Sequence, residues 1–409
     1  MNQSKSEPTG LQHGALSGLT VIEHASGVAA SYAGRALALM GATVIKIEPP
    51  SGDPLRHQVP LLPTEPAVSA LYTYLNVNKS SVTLDTRLAS GQALLAQLLD
   101  KATILLDDTY PERRATLGIT PEQVRARHPH LIYVSVLPFG ASGPHASYRA
   151  QELNVFHAGG EGYLMPNGLT LEMFPERPPV KIYGHFAEFT GGTSAACAAI
   201  AAAFIAPEAG GQFVDISVQD ANVANGCFAM QRLGDGVLEN RKGRSFKYGG
   251  VMQCADGYVQ LLVLEDHQWD SLVELVGSPA WATVPEFKDA LERGRRGAEI
   301  NRNLRAWAAT QKVDDLVQQG QARRIPFARY AEPGEVLVAE QSRVRGMFST
   351  IEVGGGEYPM LVAPYQASSP VPTKLQPVQG PGDDNQRIWC EWLGHSSAEL
   401  AGWVAQGTV

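Results

Sequence analysis

The sequence predicts an α/β protein with a mostly parallel sheet, joined to a smaller α+β domain. Three observations predict it. The first 150 residues alternate short apolar runs with segments of helical period. From about Asn225 the texture shifts to a hairpin-like pair of strands and amphipathic helices. The last stretch, from 341 onward, is rich in proline and glycine ("SSPVPTKLQPVQGPGDD").

Each element has its own warrant. "LTVIE", Leu19 to Glu23, is bounded and continuously apolar at its centre, as a buried parallel strand should be. "VAASYAGRALALMGA" follows with helical spacing and a glycine stop at Gly41. "TVIKIE", Thr43 to Glu48, is the next strand, ended by Pro49 and Pro50. Then come "GQALLAQLLDKA" as helix, "TILL" as strand, "TPEQVRARH" as helix with a threonine cap, and "HLIYVSV" as strand. Such βαβ alternation implies right-handed crossovers and a parallel sheet. After an alanine-rich helix, "GQFVDISVQDANVA" adds a strand and a helix. "YGGVMQCADGYVQLLVLEDHQWDSLVELVG" then reads as two strands and a helix, and "RNLRAWAATQKVDDLVQQGQARRIPFARY" continues the helical pattern. The expected domains are 1–225, 226–340 and 341–409. A tail of the last composition, ending in the helical "DNQRIWCEWLG", is expected to run across another surface rather than fold alone.

Composition narrows the function. The chain has 409 residues, 33 Lys and Arg against 41 Asp and Glu, and a formal charge of −8. No dense basic run occurs, so a nucleic-acid backbone is excluded as an expected partner. Small anions need only a few local cations and stay open. The cysteines at 197, 227, 254 and 390 have neither metal-ligand spacing nor a disulfide pattern, which fits a reducing cytosol, and no metal is expected. The polar start lacks an apolar signal core. The longest apolar run, Ala195 to Pro207, falls short of the roughly 20 residues a bilayer span needs. The expectation is therefore a cytoplasmic protein with no membrane segment. No phosphate-loop or dinucleotide glycine fingerprint appears, so the parallel sheet does not by itself imply ATP or NAD.

One stretch stands out. In "IYGHFAEFTGGTSAACAAIAAAF", Ile182 to Phe204, the carboxylate Glu188 precedes two glycines and a helix made mostly of alanine. An acidic residue in a first helical turn is favoured by the helix dipole alone. The same position also suits a carboxylate nucleophile, with Gly191 and Gly192 letting backbone N–H groups approach a ligand or an oxyanion.

Several stretches together resemble one family, the class III coenzyme A transferases (CaiB/BaiF-like), which include formyl-CoA and carnitine-CoA transferases and the related α-methylacyl-CoA racemases. They are "VIEHASGVAASYAGRALALMGATVIKIEPPSGDPLR", "LNVNKSSVTLDTR", "HLIYVSVLPFGASGP", "GQFVDISVQDA", "CADGYV" and "VRGMF", in family order across nearly the whole chain. The resemblance implies a Rossmann-like large domain completed by the returning C-terminal segment, a small domain, and two interlocked chains sharing active sites as a homodimer. It implies coenzyme A as co-substrate, with an acyl-CoA and a carboxylic acid as substrates.

It also implies roles for residues. Glu188 matches the carboxylate, usually aspartate, that attacks the acyl-CoA thioester. Glutamate extends the reach by about 1.5 Å. Glu152 matches a second acid near the active site, with a supporting role. Ser26 and Gly27 match the loop beside CoA, Asn78 and Lys79 a stretch that contacts it. Arg56 and Arg114 are candidates for its phosphates. Gly249 and Gly250, in "KYGG", match a glycine-rich loop that covers the reaction centre. The chain departs from its relatives at Pro49 and Thr116, where arginines are expected, and at Gln151, where racemases carry histidine. An amide cannot serve as a base near neutral pH, which leaves α-proton exchange without its usual pair unless His185 or His157 substitutes. The readings are a CoA transferase, an acyl-CoA racemase or isomerase, and a CoA-binding subunit without chemistry of its own.

Overall fold

The computed structural model describes residues 14–226, 248–368, 374–377 and 380–409. Cys227 and Lys247 lie outside them. The chain forms two compact units. One comprises 1–161, 182–227 and 340–409, and the other comprises 162–181 and 228–339.

The first unit is built on strands β1 (Thr20–His24), β2 (Thr43–Glu48), β3 (Lys79–Thr83), β4 (Ile104–Asp107), β5 (Ile132–Leu137) and β6 (Phe213–Ser217). All neighbours pair in parallel, in the order β3-β2-β1-β4-β5-β6. The register runs from Thr20 opposite Thr43 on one side of β1 and from Val21 opposite Ile104 on the other. The core side chains Val21, Ile22, Val44, Ile45 and Ile104 to Leu106 are buried. Burial of each large aliphatic stabilises by roughly 1.5–3 kcal/mol.

The connections are helical: α1 (Val28–Leu39), α2 (Ala70–Asn76), α3 (Ala89–Lys101), α4 (Pro111–Leu117) and α5 (Pro121–Arg127). Gly41 ends the α1 region at φ +98°, a left-handed conformation suited to glycine. Thr120 caps α5 in a reciprocal arrangement with Gln123. Farther along lie α6 (Glu152–Ala158), α7 (Gly168–Met173), α8 (Phe186–Ala209) and α9 (Val218–Gly226). By length and composition α8 is apolar enough to cross a bilayer, which exceeds the dozen apolar residues read from the sequence. Here it packs on α1 and α9 through its small residues.

The C-terminal segment belongs to the first unit. Asp384 and Asn385 accept hydrogen bonds from the backbone N–H groups of Ser81 and Thr83, and Asp384 N–H donates back to the Ser81 carbonyl. The outer edge of β3 is thereby covered, which leaves it no free ladder for another chain. Ile388 and Trp389 are buried in the same core as the α3 leucines. The segment is more structured than its composition suggests, because β10 (Phe348–Val353) and β11 (Gly356–Leu361) form an antiparallel hairpin after the three strands of the second unit.

In that second unit, β7 (Gly250–Cys254), β8 (Gly257–Leu261) and β9 (Phe327–Arg329) form an antiparallel sheet, followed or flanked by helices such as α10 (Asp266–Val276). Segment 162–181 groups with this unit rather than with the first 225 residues. Within it, Glu172 pairs with Arg305.

Candidate active site

Glu188 sits in the first turn of α8, which begins at Phe186, so the helix starts ahead of the carboxylate rather than after the glycine pair. The first N–H groups of a helix lack intrahelical partners and point their positive ends outward. Glu152, at the start of α6, meets them. Its Oε1 accepts from Ala187 N–H at 3.2 Å and its Oε2 from Glu188 N–H at 3.0 Å. Glu152 is buried, and two N–H donors plus the helix end stabilise its charge there.

The turn that carries Glu188 is thus bolted to α6 through the backbone of Glu188 itself. The Glu188 side chain is held from the other side, where His185 Nδ1 lies 2.6 Å from Oε2. Glu152, His185 and Glu188 place one polar atom each within 4.8 Å of one another, a grouping that could surround a metal ion. The Glu152 oxygens already answer two N–H donors, and the positive end of α8 opposes a cation.

Gly191 and Gly192 do not face a ligand, which corrects the expectation that their N–H groups serve an oxyanion. Both are buried inside α8. A Cβ at Gly191 would press on the Val218 side chain of α9. One at Gly192 would collide with the Ala29 carbonyl of α1 and with Tyr32. These glycines let three helix backbones approach closely.

Strand order reverses between β1 and β4, and in such sheets ligands bind outside the carboxyl ends of the strands at that point. Two cavities lie there. One, of ≈ 170 Å³, is walled by Gly27 to Ala30, Asp108, Tyr110, Gln151 and Glu188. The other, of ≈ 440 Å³, is walled by His24 to Ser26, Pro49, Ser51, Asp85 to Arg87, Asp108, Tyr110 and Arg113. Asp108 and Tyr110 line both, so the nucleophile candidate and the larger cleft adjoin across these two residues.

The N-terminus of α1, where a dinucleotide fold would seat a phosphate, is already occupied. Asp108 Oδ2 accepts from Gly27 N–H at 2.6 Å and Ser26 N–H at 3.0 Å. Burial and the adjacent Asp107 charge push its carboxyl up to about 6, against the pull of those N–H groups.

The residues proposed to hold CoA divide sharply. Ser26 and Gly27 are at the cavity walls. Arg56 turns its fork to Glu48, with Nε at 2.6 Å and Nη2 at 2.7 Å, and lies over the Tyr72 ring. Lys79 is buried on Glu23, the Ser31 carbonyl and Asn76. Asn78, at φ +62°, exchanges hydrogen bonds with Lys374 and Gln376 of the return segment. Arg114 is buried against the Thr109 carbonyl, Ser135 and the Tyr133 ring. In this structure the polar groups of Arg56, Asn78, Lys79 and Arg114 bind the chain itself, and none of the four lines either cavity.

Gly249 and Gly250 lie at φ +82° and +83° in the second unit, where Gly249 N–H donates to Asn301 Oδ1. The sequence reading missed Asp108, Tyr110 and the cavity role of exposed Arg113. Their one visible signal was position, just past the carboxyl end of a predicted strand.

Comparison with known proteins bears on this geometry. Residues 16–383 match the family described as CoA-transferase family III. A formyl-CoA:oxalate CoA-transferase of Streptomyces coelicolor is 26% identical, covering 97% of this chain and 99% of its own. A succinyl-CoA–D-citramalate CoA-transferase of Chloroflexus aurantiacus is 27% identical, covering 94% and 96%. The crystal structure of a CaiB/BaiF family protein from Brucella suis superposes with a TM-score of 0.79 at 25% identity, covering 93% of this chain and 100% of that one.

Proposed function

Because the chain belongs to CoA-transferase family III, and so is a class III CoA transferase, we propose that it moves CoA between an acyl-CoA and a carboxylic acid through covalent intermediates on Glu188. The observation that carries this is Glu188 on the wall of a cavity that adjoins a larger cleft at the carboxyl end of the sheet.

The steps balance as follows. A Glu188 oxygen attacks the thioester carbonyl, the C–S bond breaks, and a mixed anhydride and CoA thiolate form. The thiolate attacks the glutamyl carbonyl and releases the donor acid as its carboxylate, leaving a glutamyl-CoA thioester. The acceptor carboxylate attacks that thioester and frees the thiolate again. Finally the thiolate takes the acceptor's acyl group, which restores the Glu188 carboxylate. Dividing the exchange this way replaces one difficult step by several easier ones.

The residues present suit CoA in the larger cleft. Arg113 and Arg87 are exposed on its wall and offer cations to phosphate, although Arg87 also forks Asp85 at 2.9 and 2.7 Å. Glu152 acts by fixing the turn, not by touching substrate. A homodimer with shared active sites and a cytoplasmic location complete the proposal. The exposed apolar residues Phe204 and Ile205 near the end of α8 support a protein partner surface.

Glu188→Ala should abolish CoA exchange between acyl-CoA and acid while leaving the melting temperature unchanged. Retained exchange would remove Glu188 from the mechanism. α-Deuteration of an acyl-CoA in heavy water without any acceptor acid would favour a racemase instead.

A further inference from the structure

The covalent scheme places negative charge on a Glu188 oxygen each time a nucleophile attacks the glutamyl carbonyl. Such an oxyanion needs a donor about 2.7–3.1 Å away. The start of α8 looks like the natural source, but three of its first four N–H groups are already engaged. Ala187 and Glu188 N–H groups bind Glu152, and Phe189 N–H binds the His185 carbonyl.

One donor does face the side chain. An ionised carboxylate only accepts, so the contact of 2.6 Å requires that His185 Nδ1 carry the proton and donate it to Oε2. The imidazole is held in place. It is 26% exposed, its backbone carbonyl caps the first turn, and its ring packs at 6.0 Å from that of Phe189. Among the described residues, the carboxylates beside it are Glu188 and Glu152.

Resting on the covalent role of Glu188, we infer that His185 is a catalytic residue whose Nδ1–H stabilises the oxyanion at Oε2 in every attack on the glutamyl carbonyl. The bond to Oε2 leaves Oε1 as the oxygen that attacks the acyl-CoA. Once Oε1 is acylated, Oε2 is the glutamyl carbonyl oxygen and keeps its donor. When thiolate attacks the carbonyl carbon, the π electron pair moves onto Oε2 and is met by the same N–H. Collapse returns that pair and expels Oε1 with the donor acid. No proton need leave the imidazole, so neither protonation state of Nε2 enters the argument. Sequence spacing hides this role, because a histidine three residues before an acid reads equally as an ordinary cap neighbour.

The test isolates one step. Enzyme is charged with succinyl-CoA or formyl-CoA, separated from free nucleotide, and discharged with hydroxylamine, which attacks the same glutamyl carbonyl. Discharge is followed by mass spectrometry of the Glu188 peptide. His185→Phe should slow discharge about 100-fold, the scale for loss of one oxyanion donor. His185→Gln, which retains an N–H, should recover at least tenfold of that loss. Discharge at the wild-type rate in His185→Phe overturns the inference, and so does equal slowing in both variants. Absence of any adduct on Glu188 in the turning-over wild type overturns the covalent reading together with this one. An adduct that forms on Glu188 but discharges independently of His185 overturns this one alone.

Discussion

Shortening Glu188 by one methylene tests whether glutamate is matched to this backbone. In Glu188→Asp the carboxylate retracts by about 1.5 Å. The His185 contact, now 2.6 Å, would open to about 4 Å, beyond hydrogen-bond range. The oxygen would withdraw from the cavity wall by a similar distance, and misplacement of about 1 Å can cost roughly 100-fold in rate. Stability should move by less than about 0.5 kcal/mol, since aspartate suits a first helical turn and the Glu152 brace binds backbone rather than side chain. The assay is CoA exchange over a panel of acyl-CoA and acid pairs, with thermal melting as the folding control. Exchange in Glu188→Asp at or above the wild-type rate, with an intact melt, would refute the reasoning.

Further expectations follow the same geometry. Glu152→Gln offers one acceptor oxygen to two N–H groups now held by separate oxygens, so it should lower stability by about 1–3 kcal/mol and slow exchange at least tenfold; unchanged melting would contradict the brace. Gly192→Val should force α1 and α8 apart and cost about 1–3 kcal/mol in urea unfolding, whereas a neutral result would mean the helices can separate freely. For Asp108 the folded value of about 6 lies above the ordinary 3.8, so the ionised form destabilises at neutral pH and the penalty fades as pH falls through 6. Asp108→Asn, keeping one oxygen for both N–H groups, should stabilise by about 1–3 kcal/mol at pH 8 and lose that advantage near pH 4. Glu48 behaves oppositely: burial alone would raise it, but hydrogen bonds from Arg56 and Ser81 hold it at about 2. Its contribution, at most about 3 kcal/mol, is complete above pH 4.5 and lost as pH falls toward 2, so Glu48→Gln should flatten the acid limb of an unfolding curve.

What could be read from sequence was decided by side-chain type. Strands β1, β2, β4 and β5 are buried on both faces, and their apolar runs say so. β3 escaped because "KSSVT" looks polar; it is buried through the Lys79–Glu23 pair and the return segment, partners remote in sequence. The hairpin of β10 and β11 escaped for a similar reason, with Pro359 and three glycines masking its alternation. At the site, Glu188 and Glu152 stand out by residue type, but that Glu152 binds backbone N–H groups while Glu188 meets His185 was not legible. A capping carboxylate and a nucleophile differ only in which atoms they face. Arg56 and Arg114 show the converse: a cation beside a predicted phosphate site becomes internal when an acid or carbonyl lies closer in the fold.

Oxygen transfer offers the most direct test of covalent participation by Glu188. When the acceptor acid carries heavy oxygen in its carboxylate, the attack on the glutamyl thioester leaves one of its oxygens on the enzyme. After a single turnover the peptide containing Glu188 should carry one heavy oxygen, and in later turnovers that oxygen leaves with the donor acid and is replaced by another from the acceptor. Full turnover with that peptide unlabelled would show that CoA passes between the acids without ever bonding to Glu188.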